Sequence, residues 1–201
     1  GIIAACGNYI EMDGKVIYEN VLSADMVQKV IRVLSECKMP VVLEGSTDYW
    51  IDDEGFEDDP YVDYLFESLG EHAHIIRGYD GEIRINKFSA DVIDGTDYER
   101  VKAEFADDFL ILEHVENVVE FVPKGTSKAT GIKWLCNHLD IPLDETYAIG
   151  DSVNDLEMLE SVGHGIAMGN SMPPVKEIAE YVTSDISDDG VKNALKHYGL
   201  I

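Results

Sequence analysis

Thr146–Asp155 reads T-Y-A-I-G-D-S-V-N-D, and the rest of the chain is placed around it. Tyr147, Ala148 and Ile149 form a short apolar strand that runs into Gly150 and then Asp151. In a parallel α/β sheet, ligands gather at the carboxyl ends of the strands, which puts Asp151 at the usual position for chemistry. Gly150 allows a sharp turn and a close approach of another group. Asp155 follows one helical turn later, at the predicted start of an amphipathic helix, a spacing that lets both carboxylates face one point. Two hard oxygen donors there suit Mg²⁺, which binds one or two carboxylates and fills its sphere with water or phosphate oxygens. The plainer reading is that Asp151, Ser152 or Asn154 caps the helix and Asp155 complements its dipole. A calcium loop is excluded, because Val153 stands at a ligand position and no glycine is sixth from Asp151.

Upstream, Pro123–Lys128 reads P-K-G-T-S-K and opens a helix. Ile132, Leu135, Cys136 and Leu139 recur at the spacing of a helix lying on a sheet. Lys128 falls in the first turn, where a cation opposes the macrodipole unless an anion sits nearby. The alternative is an ordinary solvated lysine. The spelling is not that of a P-loop.

Taken in order, Ser127-Lys128, the run Thr146–Leu159 and the run Gly163–Asn170 resemble the haloacid dehalogenase superfamily, most of all its Cof-type sugar-phosphatase-like branch. Val175, Ala179, Val182 and Asp188-Asp189-Gly190 also fall in register. The resemblance implies that Lys128 steadies a phosphate, Asp151 holds Mg²⁺, Asp155 is the supporting carboxylate beside the metal and Asn154 contacts the phosphate. It also implies a nucleophilic aspartate in a D-x-D-G-T stretch, which is not spelled here. Asp94-Gly95-Thr96 comes nearest, but Val92 stands at the nucleophile position.

The run Ile2–Cys6 suits a buried parallel strand. It resembles the third core strand of this family, just before the chain enters its cap, with Cys6 in place of an asparagine. The expectation is therefore a partial Rossmannoid α/β core with an inserted α+β cap of the C2 type. Residues 1–8 would be a core remnant, 9–122 the cap and 123–201 the C-terminal part of the core. About two βα units, including the nucleophile, would precede Gly1, each of roughly 30 residues. The core edge left open would invite pairing with another chain.

Acidic residues number 40 against 15 Lys and Arg, for a net charge of −25. That argues against nucleic acid and anionic membrane, which need basic patches. The same field repels a phosphorylated metabolite, so a bound cation matters more. Three cysteines, Cys6, Cys37 and Cys136, are widely spaced and odd in number, which fits a reducing cytoplasm.

Within residues 7–122, an Asp13-Gly14 hairpin precedes a helix that Ser23 caps and Pro40 stops. Strands follow at 41–43, 47–51, 74–77 and 83–88, with helices at 62–69 and 98–105 and a hairpin over 109–122. The helices are expected on one side of a one-faced sheet. Asp52–Pro60 carries six acidic residues in nine, either a cation site or a solvated loop. Tyr49, Trp50 and Glu44 either line a cap pocket or belong to the core. His164 is read as structural. The implied reaction is Mg²⁺-dependent hydrolysis of a small phosphorylated metabolite, of the sugar-phosphate type, through an aspartyl-phosphate, with residues 1–201 alone inert. The alternative is a non-catalytic protein that holds a ligand or partner with its cap lobe.

Overall fold

A computed structural model describes residues 1–52, 60–114 and 117–201. The acidic run after Asp52 lies outside them, apart from Asp52 and Pro60. The chain divides into two compact units, Gly1–Gly125 and Thr126–Ile201.

In the first unit, β2 (Tyr9–Met12) and β3 (Lys15–Glu19) form the expected hairpin. Asp13 and Gly14 both take positive φ, 50° and 71°, the two left-handed residues that a type I′ loop requires. The apolar run at the start differs from its reading. β1 (Ile2–Ala4) pairs antiparallel with β2, and Ile2 is 58% exposed. The chain doubles back through Ala5, Cys6 and Gly7, all at positive φ, so the neighbouring hairpin edge becomes the partner. An apolar run states that a strand is favoured, not which edge receives it.

Helix α1 (Ala24–Glu36) starts at Ser23, whose hydroxyl accepts the Met26 N–H. It stops before Pro40: Lys38 is left-handed at φ 54° and the Met39 N–H returns to the Leu34 carbonyl, a Schellman closure. The main sheet has the order β6-β5-β4-β7-β9-β8, built from β4 (Val41–Glu44), β5 (Tyr49–Ile51), β6 (Ala73–Ile75), β7 (Lys87–Asp91), β8 (Phe109–Glu113) and β9 (Val118–Pro123). It is antiparallel except between β5 and β6. β7 begins later than the expected strand at 83–88, because Phe88 and Ala90 are the pair that alternates into the core opposite β4 and β9.

One face, with Leu43, Phe88, Val119 and Phe121, packs on α1 and on α3 (Tyr98–Phe105). On the other face, Val42 and Ile51 pack on Val62 and Leu65 of α2 (Pro60–Leu69). The helices therefore do not all lie on one side. Val41, Val42 and Leu43 are apolar in succession, and alternation sends them to both faces, so both need cover.

The second unit is a parallel sheet of order β10-β11-β12: β10 (Tyr147–Gly150), β11 (His164–Ala167) and β12 (Tyr181–Val182). Helices α4 (Lys128–Leu139), α5 (Leu156–Ser161), α6 (Pro173–Ile178) and α7 (Gly190–His197) complete it. Ala148, Leu159, Ala167 and Val175 form its core. No helix among the described residues is long and apolar enough to cross a membrane.

Candidate active site

The site is built at the carboxyl end of β10. Gly150 ends the strand, Asp151 and Ser152 follow, and a 3-10 turn at Val153–Asp155 leads into α5. Asp151 thus stands outside any helix, and helical spacing does not set its relation to Asp155. Asp155 turns back instead. Its Oδ2 accepts the N–H groups of Asp151 at 3.0 Å and Ser152 at 3.2 Å, while Ser152 caps the turn in return. Its Oδ1 accepts Lys128 Nζ at 2.6 Å. Gly150 makes this close approach possible, since a Cβ there would lie 2.7 Å from the Asp155 Cβ.

Lys128 reaches the turn from the first position of α4. A reciprocal pair, Ser127 with Thr130, caps that helix and holds its first turn in place. The ammonium also donates to Asn154 Oδ1 at 3.4 Å. Lys128, Asn154 and Asp155 are therefore brought together from two segments. Asp151 is exposed beside them, and its carboxylate makes no hydrogen bond or ion pair among the described residues.

Asp155 is 5% exposed. Burial pushes its carboxyl up, but the Lys128 ammonium and the two N–H groups outweigh burial and hold it below the usual aspartate range. A carboxylate with a depressed folded pKa contributes stability above its unfolded pKa and loses it as pH falls through the folded one. Asp155→Asn is expected to cost stability at neutral pH, and the difference from wild type should shrink as the solution is acidified below the ordinary aspartate range. Urea midpoints measured from pH 7 down to pH 3 test this. A gap that stays constant across the range would show that the charge of Asp155 does not matter.

Mg²⁺ needs oxygen donors that are not already committed. Both Asp155 oxygens accept hydrogen bonds, Oδ1 from Lys128 and Oδ2 from the Asp151 and Ser152 N–H groups, whereas the Asp151 carboxylate accepts none among the described residues. Asp151 fits as one carboxylate ligand of an ion that draws its other ligands from water and phosphate. No cluster of three or more His, Cys, Asp or Glu among the described residues forms a protein cage.

Two groups escaped the sequence reading. Ser171, 6% exposed, donates to the Gly150 carbonyl at 3.1 Å from twenty-one residues away, and no motif spacing signals it. In the first unit, Lys87 lies between Glu44 and Glu120, 2.9 Å from the latter, on the sheet face opposite Phe88. Burial raises the Glu120 carboxyl, and the Lys87 ammonium outweighs it, so the net shift is downward. Glu44 is thus committed to an ion pair and Trp50, 4% exposed, to the core. His164 stacks on Tyr147 at 4.5 Å and pairs with Glu180 at 2.9 Å, as a structural residue does.

Compared with known proteins, residues 1–195 match the family profile described as haloacid dehalogenase-like hydrolase. YkrA of Bacillus subtilis is 30% identical over 212 residues, covering 97% of this chain and 74% of that protein. A crystal structure of a protein from Geobacillus kaustophilus superposes with a TM-score of 0.83 at 26% identity, over 99% of this chain and 76% of the other. The subclass IIB sugar phosphatase BT4131 shares the fold, with a TM-score of 0.73 at 21% identity, over 99% of this chain and 75% of that one.

Proposed function

The chain belongs to the haloacid dehalogenase-like hydrolases, and from that premise we propose that it serves the hydrolysis of a small phosphomonoester of the sugar-phosphate class. One observation carries this reading. An ammonium (Lys128), an amide (Asn154) and an uncommitted carboxylate (Asp151) are gathered at the carboxyl end of a parallel strand.

In this proposal Asp151 helps hold Mg²⁺, and residues 9–122 are the cap that selects the substrate. The bound ion supplies charge stabilisation to the phosphoryl oxygens. Lys128, tethered by Asp155, directs its remaining N–H group to a phosphoryl oxygen, and the Asn154 amide orients the same group. Asp155 takes the supporting role, because both its oxygens are committed to the loop and the lysine. With a net charge of −25, the whole protein repels phosphate, and these local cations offset that field.

Residues 1–201 spell no D-x-D-G-T, so the nucleophile would come from outside them. Its aspartate oxygen attacks phosphorus, the ester P–O bond breaks and the leaving oxygen takes a proton from solvent; water then attacks the aspartyl-phosphate, returns a proton to solvent, regenerates the carboxylate and releases phosphate.

An aryl phosphate assay with Mg²⁺ tests the reading. Residues 1–201 alone are expected to be inert, and a D-x-D-G-T segment that binds them should give turnover that Asp151→Asn removes. Turnover by residues 1–201 alone that Asp151→Asn abolishes would show that the nucleophile lies within them. A segment that binds, shown by native mass spectrometry, yet yields no turnover would favour a non-catalytic binding protein.

A further inference from the structure

We propose that Ser171 is a positioning residue for Asp151: its hydroxyl locks the peptide that sets the direction of the Asp151 side chain. The inference rests on the reading of Asp151 as a metal ligand and adds a residue that no motif names. Two planar peptide units flank the Asp151 Cα, and their orientations fix where its Cβ points. Each unit is held at both ends. The Gly150–Asp151 peptide donates its N–H to Asp155 Oδ2 at 3.0 Å, and its carbonyl accepts Met168 N–H at 3.0 Å and the Ser171 hydroxyl at 3.1 Å. The Asp151–Ser152 peptide donates to the same Oδ2 at 3.2 Å, and its carbonyl accepts Met172 N–H at 3.2 Å.

The need for this clasp follows from Gly150. A side chain there would collide with Asp155, so the residue before the exposed carboxylate must be the most flexible of all. Nothing intrinsic to the strand end then holds Asp151 still. Ser171 is the one side chain among the described residues that donates to the carbonyl of this peptide, and it is buried in the loop that also presents Met168 and Met172. A carboxylate whose Cβ is held in one direction has a narrower arc to search, and loses less freedom when it takes up an ion. Ser171 acts through Asp151 and touches no substrate.

Ser171→Ala leaves the Gly150 carbonyl bonded to Met168, so no acceptor is orphaned and the chain should fold. Ser171→Thr keeps the hydroxyl. Both variants are to be compared with wild type by amide hydrogen exchange and by Mn²⁺ broadening of backbone NMR signals. In the alanine variant, exchange at Asp151 and Met172 should quicken about fivefold, the factor corresponding to one neutral hydrogen bond. The Mn²⁺ dissociation constant read at Asp151 and Asn154 should rise roughly tenfold, the low end for losing a group that orients a ligand. Threonine should restore both. Unchanged exchange in the alanine variant overturns the clasp. Faster exchange with an unchanged Mn²⁺ response overturns the positioning role and leaves a structural one. Should wild type show no broadening at Asp151, the metal reading fails and takes the proposal with it, while the exchange data show whether the clasp itself stands.

Discussion

Replacing Phe88 by alanine is expected to destabilise the Gly1–Gly125 unit by about 3–5 kcal/mol, the range for a fully buried phenylalanine. Phe88 is 0% exposed and lies at the centre of four rings. It stacks on Phe121 with centroids 4.5 Å apart, and meets Phe105 at 5.7 Å and Phe109 at 5.2 Å edge to face. Truncation removes the shared neighbour, and the three remaining rings come from α3, β8 and β9, whose backbones are tied by a ladder and a helix. They have little freedom to close the gap, so the cavity cost adds to the lost transfer energy. Phe88→Leu keeps most of the volume and should cost far less. Urea unfolding read by the fluorescence of Trp50, which packs in the same core, in a Trp134→Phe background measures both. A loss below about 1 kcal/mol for the alanine variant would mean that the rings repack freely.

Lys128→Met is expected to lower turnover of the complemented protein on the order of 10²–10³-fold, as loss of one preorganised donor to a developing charge does. The long apolar side chain keeps the packing of the lysine stem and deletes the ammonium alone. Stability should change much less, because Lys128 is 38% exposed and the Asp155 carboxylate keeps its two backbone N–H donors. The separation of rate from stability is the point of the test. Lys192→Met is the control, since that lysine pairs with Asp189 at the surface, 54% exposed, and should be neutral in rate. Steady-state kinetics on an aryl phosphate, beside a thermal melt of each variant, distinguish the outcomes. Turnover within about threefold of wild type after Lys128→Met would remove the electrostatic role assigned to it.

Much of the site was legible because its signals are local. Lys128 opens a helix with an apolar stripe, and Asp151 follows an apolar strand and a glycine; both are short-range patterns. The role of Asp155 was half legible. Its spacing from Asp151 is visible, but whether it points along a helix or back into the loop depends on backbone angles at Ser152–Asn154 that composition does not dictate. Ser171 and the Lys87 pair were not legible, because their partners lie on other strands at no fixed separation.

What the amino-acid order determined alone is the set of elements whose hydrogen bonds and periodicity close within a few residues. These are the Asp13-Gly14 hairpin, the Ser23 cap, helices α1, α3 and α4, and the strand that ends at Gly150. Only the tertiary structure decided that Ile2–Ala4 joins the edge of β2, that α2 covers the second face of the main sheet, and that Asp155 turns one oxygen back into its own loop and the other to Lys128 of α4. The reason is physical: local geometry limits a segment to a small menu of shapes, while its partner is selected by burial and by which edges and donors the rest of the chain leaves open.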